Sequence, residues 1–193
     1  PEPAGYMRGG NGDDMIVNQG TVASDMTAES GNDTIINIGT VSDDMDGGTG
    51  DDSVVNTGTV DDVYGRDGND TLLNTGRAND VYGEAGADSI ANAELGEVQF
   101  IYSGADNDTI SNRGAVVHVI FGHAGDDTII NSGEVGSDIN AGSGNDSMDH
   151  RGTTNNLYGE SGQDTMTISG QVNIDVFAGT SSDEVGLENG AAL

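Results

Sequence analysis

Gly47-Gly48-Thr49-Gly50-Asp51-Asp52-Ser53-Val54-Val55-Asn56 joins a glycine-rich turn to a short β-branched run and ends on an amide. Glycine permits positive φ in such a turn, and Ser53-Val54-Val55 reads as a strand with alternate residues on opposite faces. The turn recurs as Gly9-Gly10-Asn11-Gly12-Asp13-Asp14 and Ala141-Gly142-Ser143-Gly144-Asn145-Asp146. Its second acid returns as Asp14, Asp33, Asp52, Asp70, Asp88, Asp108, Asp127, Asp146, Asp164 and Asp183, at gaps of 19, 19, 18, 18, 20, 19, 19, 18 and 19 residues. Self-similarity at a fixed period of this length is the signature of a repeat architecture.

Columns of the array show which way side chains face. Two after each Asp stands an apolar residue: Ile16, Ile35, Val54, Leu72, Ile90, Ile110, Ile129, Met148, Met166, Val185. A second column runs Val22, Val41, Val60, Ala78, Val98, Val116, Val135, Val172, broken at Thr154. A third runs Met7, Met26, Met45, Val63, Val81, Phe100, Val119, Ile139, Leu157, Val176. An amide column, Asn18, Asn37, Asn56, Asn74, Asn92, Asn112 and Asn131, continues as His150 and Ser169, and amides stacked at strand spacing can hydrogen-bond from coil to coil. Three apolar residues per repeat cannot bury a face alone, so neighbours must stack. The expected fold is all-β, a parallel β-solenoid of nine to ten coils of 18–20 residues. Residues 1–193 form one repeat-built domain in this reading, with 1–8 as N-terminal edge and 186–193 as C-terminal cap or truncated edge.

Composition narrows the function. The chain has 193 residues, 34 acidic and five basic, a net charge of −29, no Cys and 32 Gly. Leu, Ile, Val and Phe number 38, about a fifth of the chain, near the border of disorder, so a conventional thick core is not expected. The five arginines, Arg8, Arg66, Arg77, Arg113 and Arg151, are scattered, which excludes a phosphate-neutralising nucleic-acid surface. No apolar run approaches the roughly 18 residues of a membrane span, so no insertion is expected. The first residues lack the pattern of a signal peptide, and the missing initiator Met is expected of a processed or excised piece of something longer.

The acid column carries the chemistry. Carboxylates about 4.8 Å apart repel by about 1 kcal/mol in water and about 3.5 kcal/mol at an effective dielectric near 20, and every interior Asp has two such neighbours. A divalent ion in each of the nine gaps would bring −29 to about −11. Oxygen-only ligation suits Ca²⁺, whereas Zn²⁺ would want His or Cys. The expected ligands are the ten Asp of the column, with Gly10, Gly12, Gly31, Gly48, Gly50, Gly68, Gly86, Gly125, Gly144 and Gly162 shaping the turns and aiming backbone carbonyls. A second file, Asp25, Asp44, Asp62, Asp80, Gln99, His118, Asp138, Asn156 and Asp175, lacks the glycine pair and reads as turn-forming. His118, His123 and His150 stand at unrelated places in the repeat and make no metal or catalytic set. Asn-Asp-Thr strings that match a glycosylation acceptor arise from the turn itself. Asp44-Met45-Asp46 fails as an EF-hand loop, because Gly48 and Thr49 replace its third acid and its Gly.

These turns fit G-G-x-G-x-D followed by x-apolar-x, and across residues 6–185 the chain resembles the RTX calcium-binding repeat proteins. One turn per coil carries the motif and the other reads like Asn37-Ile38-Gly39-Thr40-Val41, an arrangement more similar to the 19-residue, one-calcium-turn repeats of RTX adhesins and their ice-binding domains. The resemblance implies about nine Ca²⁺ in one row, an extracellular, secreted or cell-surface bacterial setting, and a non-enzymatic structural or adhesive module that folds on meeting calcium. Its implied partners are calcium and a cell-surface glycan or another rod-like module. Ice binding, or service as the non-catalytic module of a secreted carbohydrate-active enzyme, are the alternatives. Against ice binding, the family's outward Thr row reads here Asn11, Ser30, Thr49, Asp67, Ala85, Ala105, Ala124, Ser143, Ser161. Its partner row is mixed, Asp13, Asn32, Asp51, Asn69, Ala87, Asn107, Asp126, Asn145, Gln163, while Thr34, Ser53, Thr71, Ser89, Thr109, Thr128, Ser147, Thr165 is regular. An outward aromatic file, Tyr64, Tyr82, Tyr158 and Phe177 with Ile101 and Ile120 between, is a candidate contact for sugars or a second rod.

Overall fold

Each repeat closes one coil because three short strands alternate with turns that reverse the chain, and every strand pairs with its equivalent one repeat away. The structure is a computed structural model that describes residues 5–188 and 190–192. One face is an unbroken ten-stranded parallel sheet running from Met15–Asn18 through Ser53–Asn56 and Ser89–Asn92 to Glu184–Leu187. The opposite face stacks Met7–Asn11, Met26–Ser30, Met45–Thr49, Asp62–Asp67, Asp80–Ala85, Phe100–Ala105, Ile120–Ala124, Asp138–Ser143, Thr153–Ser161 and Gln171–Phe177. A third row of two-residue strands, such as Thr21–Val22 and Ala115–Val116, completes the coil. All pairings are parallel, and among the described residues there is no helix. The parallel β-solenoid expected from the repeat is therefore the fold. Residues 1–4 of the expected N-terminal edge, and Asn189 and Leu193 of the expected cap, lie outside the described residues.

The core is the three inward columns. Ile35, Met45, Leu72, Ile110, Ile129 and Leu157 are fully enclosed, and Val22, Val41, Val98, Val116, Val135 and Val172 line the short row with Thr154 buried among them. Thr154 is tolerated because its hydroxyl donates to the Ser137 carbonyl at 2.9 Å.

The third column departs from the sequence count at two coils. Ile101 and Ile120 are buried in the core in register with Val81 and Ile139, whereas Phe100 and Val119 are only half-buried. A shift of one residue exchanges the two faces of a strand. Coil length varies in the segment after the Asn, where Glu94-Leu95 bulges out and leaves Leu95 exposed. The distance from the core residue to the following Asp is a constant seven, from Met26–Asp33 through Ile101–Asp108 to Val176–Asp183. Counting seven residues back from each Asp recovers the register.

The same correction repairs the outward aromatic file. It runs Tyr64, Tyr82, Tyr102, Phe121, Asn140, Tyr158, Phe177, and Ile101 and Ile120 are core. Ring centroids stand 4.8 Å apart for Tyr64–Tyr82, 4.9 Å for Tyr82–Tyr102, 5.3 Å for Tyr102–Phe121 and 5.0 Å for Tyr158–Phe177, with planes within 7°.

The amide ladder forms as expected. Asn18 Nδ2 donates to Asn37 Oδ1 at 2.8 Å, and the bond repeats coil by coil to Asn131 at 2.8–3.0 Å. The amides from Asn18 to Asn92 also meet their own turns, as where Asn37 Oδ1 accepts from Gly39 N–H. That turn is packed so tightly that a Cβ on Gly39 would overlap the Gly20 carbonyl oxygen. His150 continues the ladder: Asn131 Nδ2 lies 3.1 Å from His150 Nδ1, and His150 Nε2 lies 3.0 Å from the Gln171 carbonyl. The carbonyl can only accept, so Nε2 carries the proton and Nδ1 accepts from Asn131. The next position is Ile168, not Ser169, because Ile168 pairs with His150 and is wholly buried.

Candidate metal centre

Where the chain passes from the long-strand face to the ten-stranded face, the turn must reverse within a few residues. It does so through two left-handed positions separated by one residue, such as Gly48 (φ 109°) and Gly50 (φ 119°). Every turn glycine expected from the motif adopts positive φ: Gly10, Gly12, Gly31, Gly48, Gly50, Gly68, Gly86, Gly125, Gly144 and Gly162. At the Gly10 and Gly48 level several coils hold the same conformation without glycine, at Glu29, Arg66, Glu84, His123 and Glu160, and Asp106 does so at the second level.

This reversal turns the Asp side chain inward. Asp33, Asp52, Asp70, Asp88, Asp108, Asp127, Asp146 and Asp164 are buried, while Asp14 and Asp183 at the ends are half-exposed. Asp14 N–H donates to Asp33 Oδ1 at 2.6 Å, and this link repeats through the column to Asp164 N–H and Asp183 Oδ1 at 3.1 Å. One carboxylate oxygen per coil is thus committed to the backbone of its neighbour. The other is not: Oδ2 of all eight buried Asp is enclosed and has no hydrogen-bond partner.

Orphaned buried oxygens in eight successive coils call for a cation or a proton. Burial pushes the carboxyls of Asp52 and Asp146 up to about 6 and those of Asp88 and Asp127 up to about 7, and the backbone hydrogen bond each accepts only partly opposes this. Asp70, Asp108 and Asp164 are raised by burial in the same way. The lining of the turn is kept bare for these oxygens. A Cβ on Gly47 would fall 2.6 Å from Asp52 Oδ2 and 2.7 Å from the carbonyl oxygen of Gly65 in the next coil, and Gly122 shows the same pairing with Asp127 Oδ2 and the Ala141 carbonyl. Carboxylate and carbonyl oxygens therefore share one side-chain-free space, a donor set of the kind a hard divalent cation takes. Among the described residues no three acidic or imidazole side chains cluster, so a cation held here would draw on carboxylates of adjacent coils and on backbone oxygens.

The inner column that makes this room is not among the residues singled out from sequence. It runs Gly9, Ala28, Gly47, Gly65, Gly83, Ser103, Gly122, Ala141, Gly159, Ala178. Its signal is the first letter of the G-G pair, together with the absence of any residue larger than Ser. Ser103 is buried and donates to the Gly122 carbonyl at 2.8 Å.

The second acidic file is built differently. Its members are Asp25, Asp44, Asp62, Asp80, Phe100, Val119, Asp138, Asn156 and Asp175; Gln99 and His118 fall out by the one-residue shift described above. At Asp62 and Asp80 both carboxylate oxygens are occupied: Asp62 Oδ1 accepts from Asp80 N–H at 2.9 Å and Asp62 Oδ2 from the Tyr64 hydroxyl at 3.1 Å, and Asp80 accepts from Phe100 N–H and the Tyr82 hydroxyl. This file is turn architecture.

The profile of the RTX calcium-binding nonapeptide repeat (4 copies) matches residues 119–134 and 138–166. Among solved structures, the chain is similar to a hyperactive, Ca²⁺-dependent, β-helical antifreeze protein from an Antarctic bacterium, with 27% identity and a TM-score of 0.81 over 93% of this chain. The chain spans 62% of that structure's length. Comparison with the curated proteins gives no match.

Proposed function

We propose, from the premise that this chain is an RTX-type calcium-binding repeat solenoid, that it is a structural and adhesive module of a secreted or cell-surface bacterial protein and folds on meeting calcium outside the cell. The residues that hold the metal are Asp14, Asp33, Asp52, Asp70, Asp88, Asp108, Asp127, Asp146, Asp164 and Asp183, with about nine Ca²⁺ in one row between coils. The observation that carries this reading is the run of eight buried Oδ2 atoms without a partner. A ligand that binds only the folded chain stabilises it by RT ln(1 + [L]/Kd) per site, about 1.4 kcal/mol at ten times Kd. Nine modest sites then decide whether the rod exists. In low calcium the acidic chain stays unfolded and exportable.

The test is a calcium titration of chelator-stripped protein followed by far-ultraviolet circular dichroism and ion counting. A cooperative gain of β signal with about nine ions bound supports the reading; a full β signal in chelator that calcium does not change refutes it.

Ice binding is the second reading. It is favoured by the similarity to a Ca²⁺-dependent antifreeze protein and by the exposed Asx file beside the turn, whose side chains are held by the next coil, as where Asp51 N–H donates to Asn32 Oδ1 at 3.0 Å. Against it stands the hydroxyl row interrupted at Ala85, Ala105 and Ala124 in three consecutive coils. Thermal hysteresis of the calcium-loaded chain separates the two.

A further inference from the structure

The aromatic file is interrupted once. Asn140 occupies the ring position between Phe121 and Tyr158, and in the same coil Gly142 stands between His123 and Glu160. Both outward residues of that coil are short where their neighbours are long, so a notch one coil wide crosses the face. Phe121 and His123 form one wall, Tyr158 and Glu160 the other, and Asn140 and Gly142 the floor.

Three features distinguish the notch from the rest of the file. From Tyr64 to Phe121 the rings stack on one another at 4.8–5.3 Å, which hides the faces between them; at the N-terminal end of the file Tyr64 is covered by the Arg66 guanidinium at 4.2 Å, and at the C-terminal end Phe177 stacks on Tyr158 alone and among the described residues has no second wall. Across the notch the faces of Phe121 and Tyr158 look toward each other over two coil spacings, about 9.6 Å. A ring placed midway would sit about 4.8 Å from each, within the usual range for stacked rings. The amide of Asn140 is shorter than an aromatic ring and donates to Glu160 Oε1 at 3.2 Å, which sets an amide and a carboxylate at the base of the slot. The third feature is the bare floor beside that amide. Gly142 holds at φ 113° the left-handed turn position that His123 and Glu160 hold at 72° and 73°, so the walls carry an imidazole and a carboxylate where the floor carries no side chain.

We propose that this notch is a subsite for one neutral pyranose residue of a glycan chain. The apolar faces of the sugar stack on Phe121 and Tyr158, and its hydroxyls meet the Asn140 amide, the Glu160 carboxylate and the His123 imidazole. Apolar walls with a few convergent polar groups are the usual composition of a ligand site. A polyol satisfies those polar groups where a purely aromatic ligand would strand them. The net charge, −29 without metal and still about −11 with nine divalent ions bound, repels acidic sugars and nucleotides, so the ligand is not an anion. The inference rests on the calcium-loaded rod proposed above.

The experiment uses the calcium-loaded chain with maltohexaose, cellohexaose and mannohexaose as probes, read by isothermal titration calorimetry and by nuclear magnetic resonance of the ring protons of Phe121 and Tyr158. Circular dichroism is recorded on every sample, so that a failure to fold around calcium is seen apart from a failure to bind sugar. Binding of at least one probe is expected, weakened tenfold or more by Asn140→Tyr, which completes the stack, and by Tyr158→Ala, and unchanged by Tyr64→Ala at the far end of the file. No binding of any probe to the folded rod at millimolar concentration overturns the subsite. So does binding that survives Asn140→Tyr or is lost equally in Tyr64→Ala.

Discussion

Replacing Asp88 with Asn should stabilise the metal-free chain and destabilise the calcium-loaded one. In the metal-free rod Asp88 lies in the middle of the column, with Oδ1 bonded to Asp70 N–H at 2.8 Å and Oδ2 enclosed without a donor. Burial raises its carboxyl from 3.8 to about 7. A carboxyl raised by folding contributes its full stability below the unfolded value, and that contribution is lost as pH rises through the folded value. The gap from 3.8 to about 7 corresponds to roughly 4 kcal/mol at about 1.4 kcal/mol per pKa unit. Water over a turn one residue thick screens much of this, so a gain of about 1–2 kcal/mol at pH 7.5 is the working figure for the Asn variant. Asn keeps an oxygen for Asp70 N–H and removes the charge. With calcium bound, the same change takes a carboxylate from the two gaps on either side of Asp88. The assay at pH 7.5 is far-ultraviolet circular dichroism of wild type and variant in chelator, where the wild type is unfolded and the variant should gain β signal, and thermal and urea unfolding of both in millimolar calcium. A variant that shifts stability in the same direction in both conditions would refute the assignment of this column to the metal.

The metal-free wild type should recover more β structure at pH 4.5 than at pH 7.5, because Asp52, Asp88, Asp127 and Asp146 bind protons in the fold between 3.8 and 6–7; calcium should reverse that order, read by far-ultraviolet circular dichroism with and without calcium at both pH values. Asn56→Ala removes a bond to Asn74 at 2.8 Å and one to the Arg77 carbonyl at 3.1 Å and takes one of the two acceptors of the Asn37 amide, which keeps the Thr59 carbonyl, and should cost about 2–4 kcal/mol in urea unfolding. Burial lowers the pKa of His150, so its contribution is present above the unfolded value of 6.5 and is lost as pH falls from there through the lower folded value; His150→Asn should remove that part of the acid sensitivity seen in a pH series of melts. Gly58→Ala would drive a Cβ into the Gly39 carbonyl oxygen and should abolish cooperative folding by circular dichroism. Deleting Glu94-Leu95, which restores an 18-residue coil, should leave the calcium-dependent melt within a few degrees of wild type.

How much is legible in the sequence follows from what is periodic. The Asp, Val and Asn columns are read directly from spacing, because a solenoid places equivalent residues of successive repeats in contact, so a period in sequence is a neighbour in space. The period also explains the errors. Beside the segment that changes length, a slip of one residue puts Phe100 and Val119 in the core and Gln99 and His118 in the second acidic file, and one residue of error exchanges inside for outside. The rigid interval is the seven residues before each Asp, held by the turn and its stacking.

By itself the sequence determined the repeat, the all-β solenoid, the charge that demands a counter-ion and the column that supplies the carboxylates, since each depends on residue type at fixed spacing. Tertiary structure decided which way each carboxylate oxygen faces. The amides of the turn opposite raise no such question, because they bond each other and carry no charge, as where Asn74 Nδ2 donates to Asn92 Oδ1 at 3.0 Å. The two acidic files differ as strings in the glycine pair and in the non-acidic members of the second, and the structure shows what that difference does: one points Oδ2 into an enclosed space lined by bare Cα atoms, while the other spends the oxygens of Asp62 and Asp80 on Tyr hydroxyls and backbone N–H groups. The N–H donors come from neighbouring coils whose register is set by packing, and the Tyr hydroxyls from two residues along the same strand.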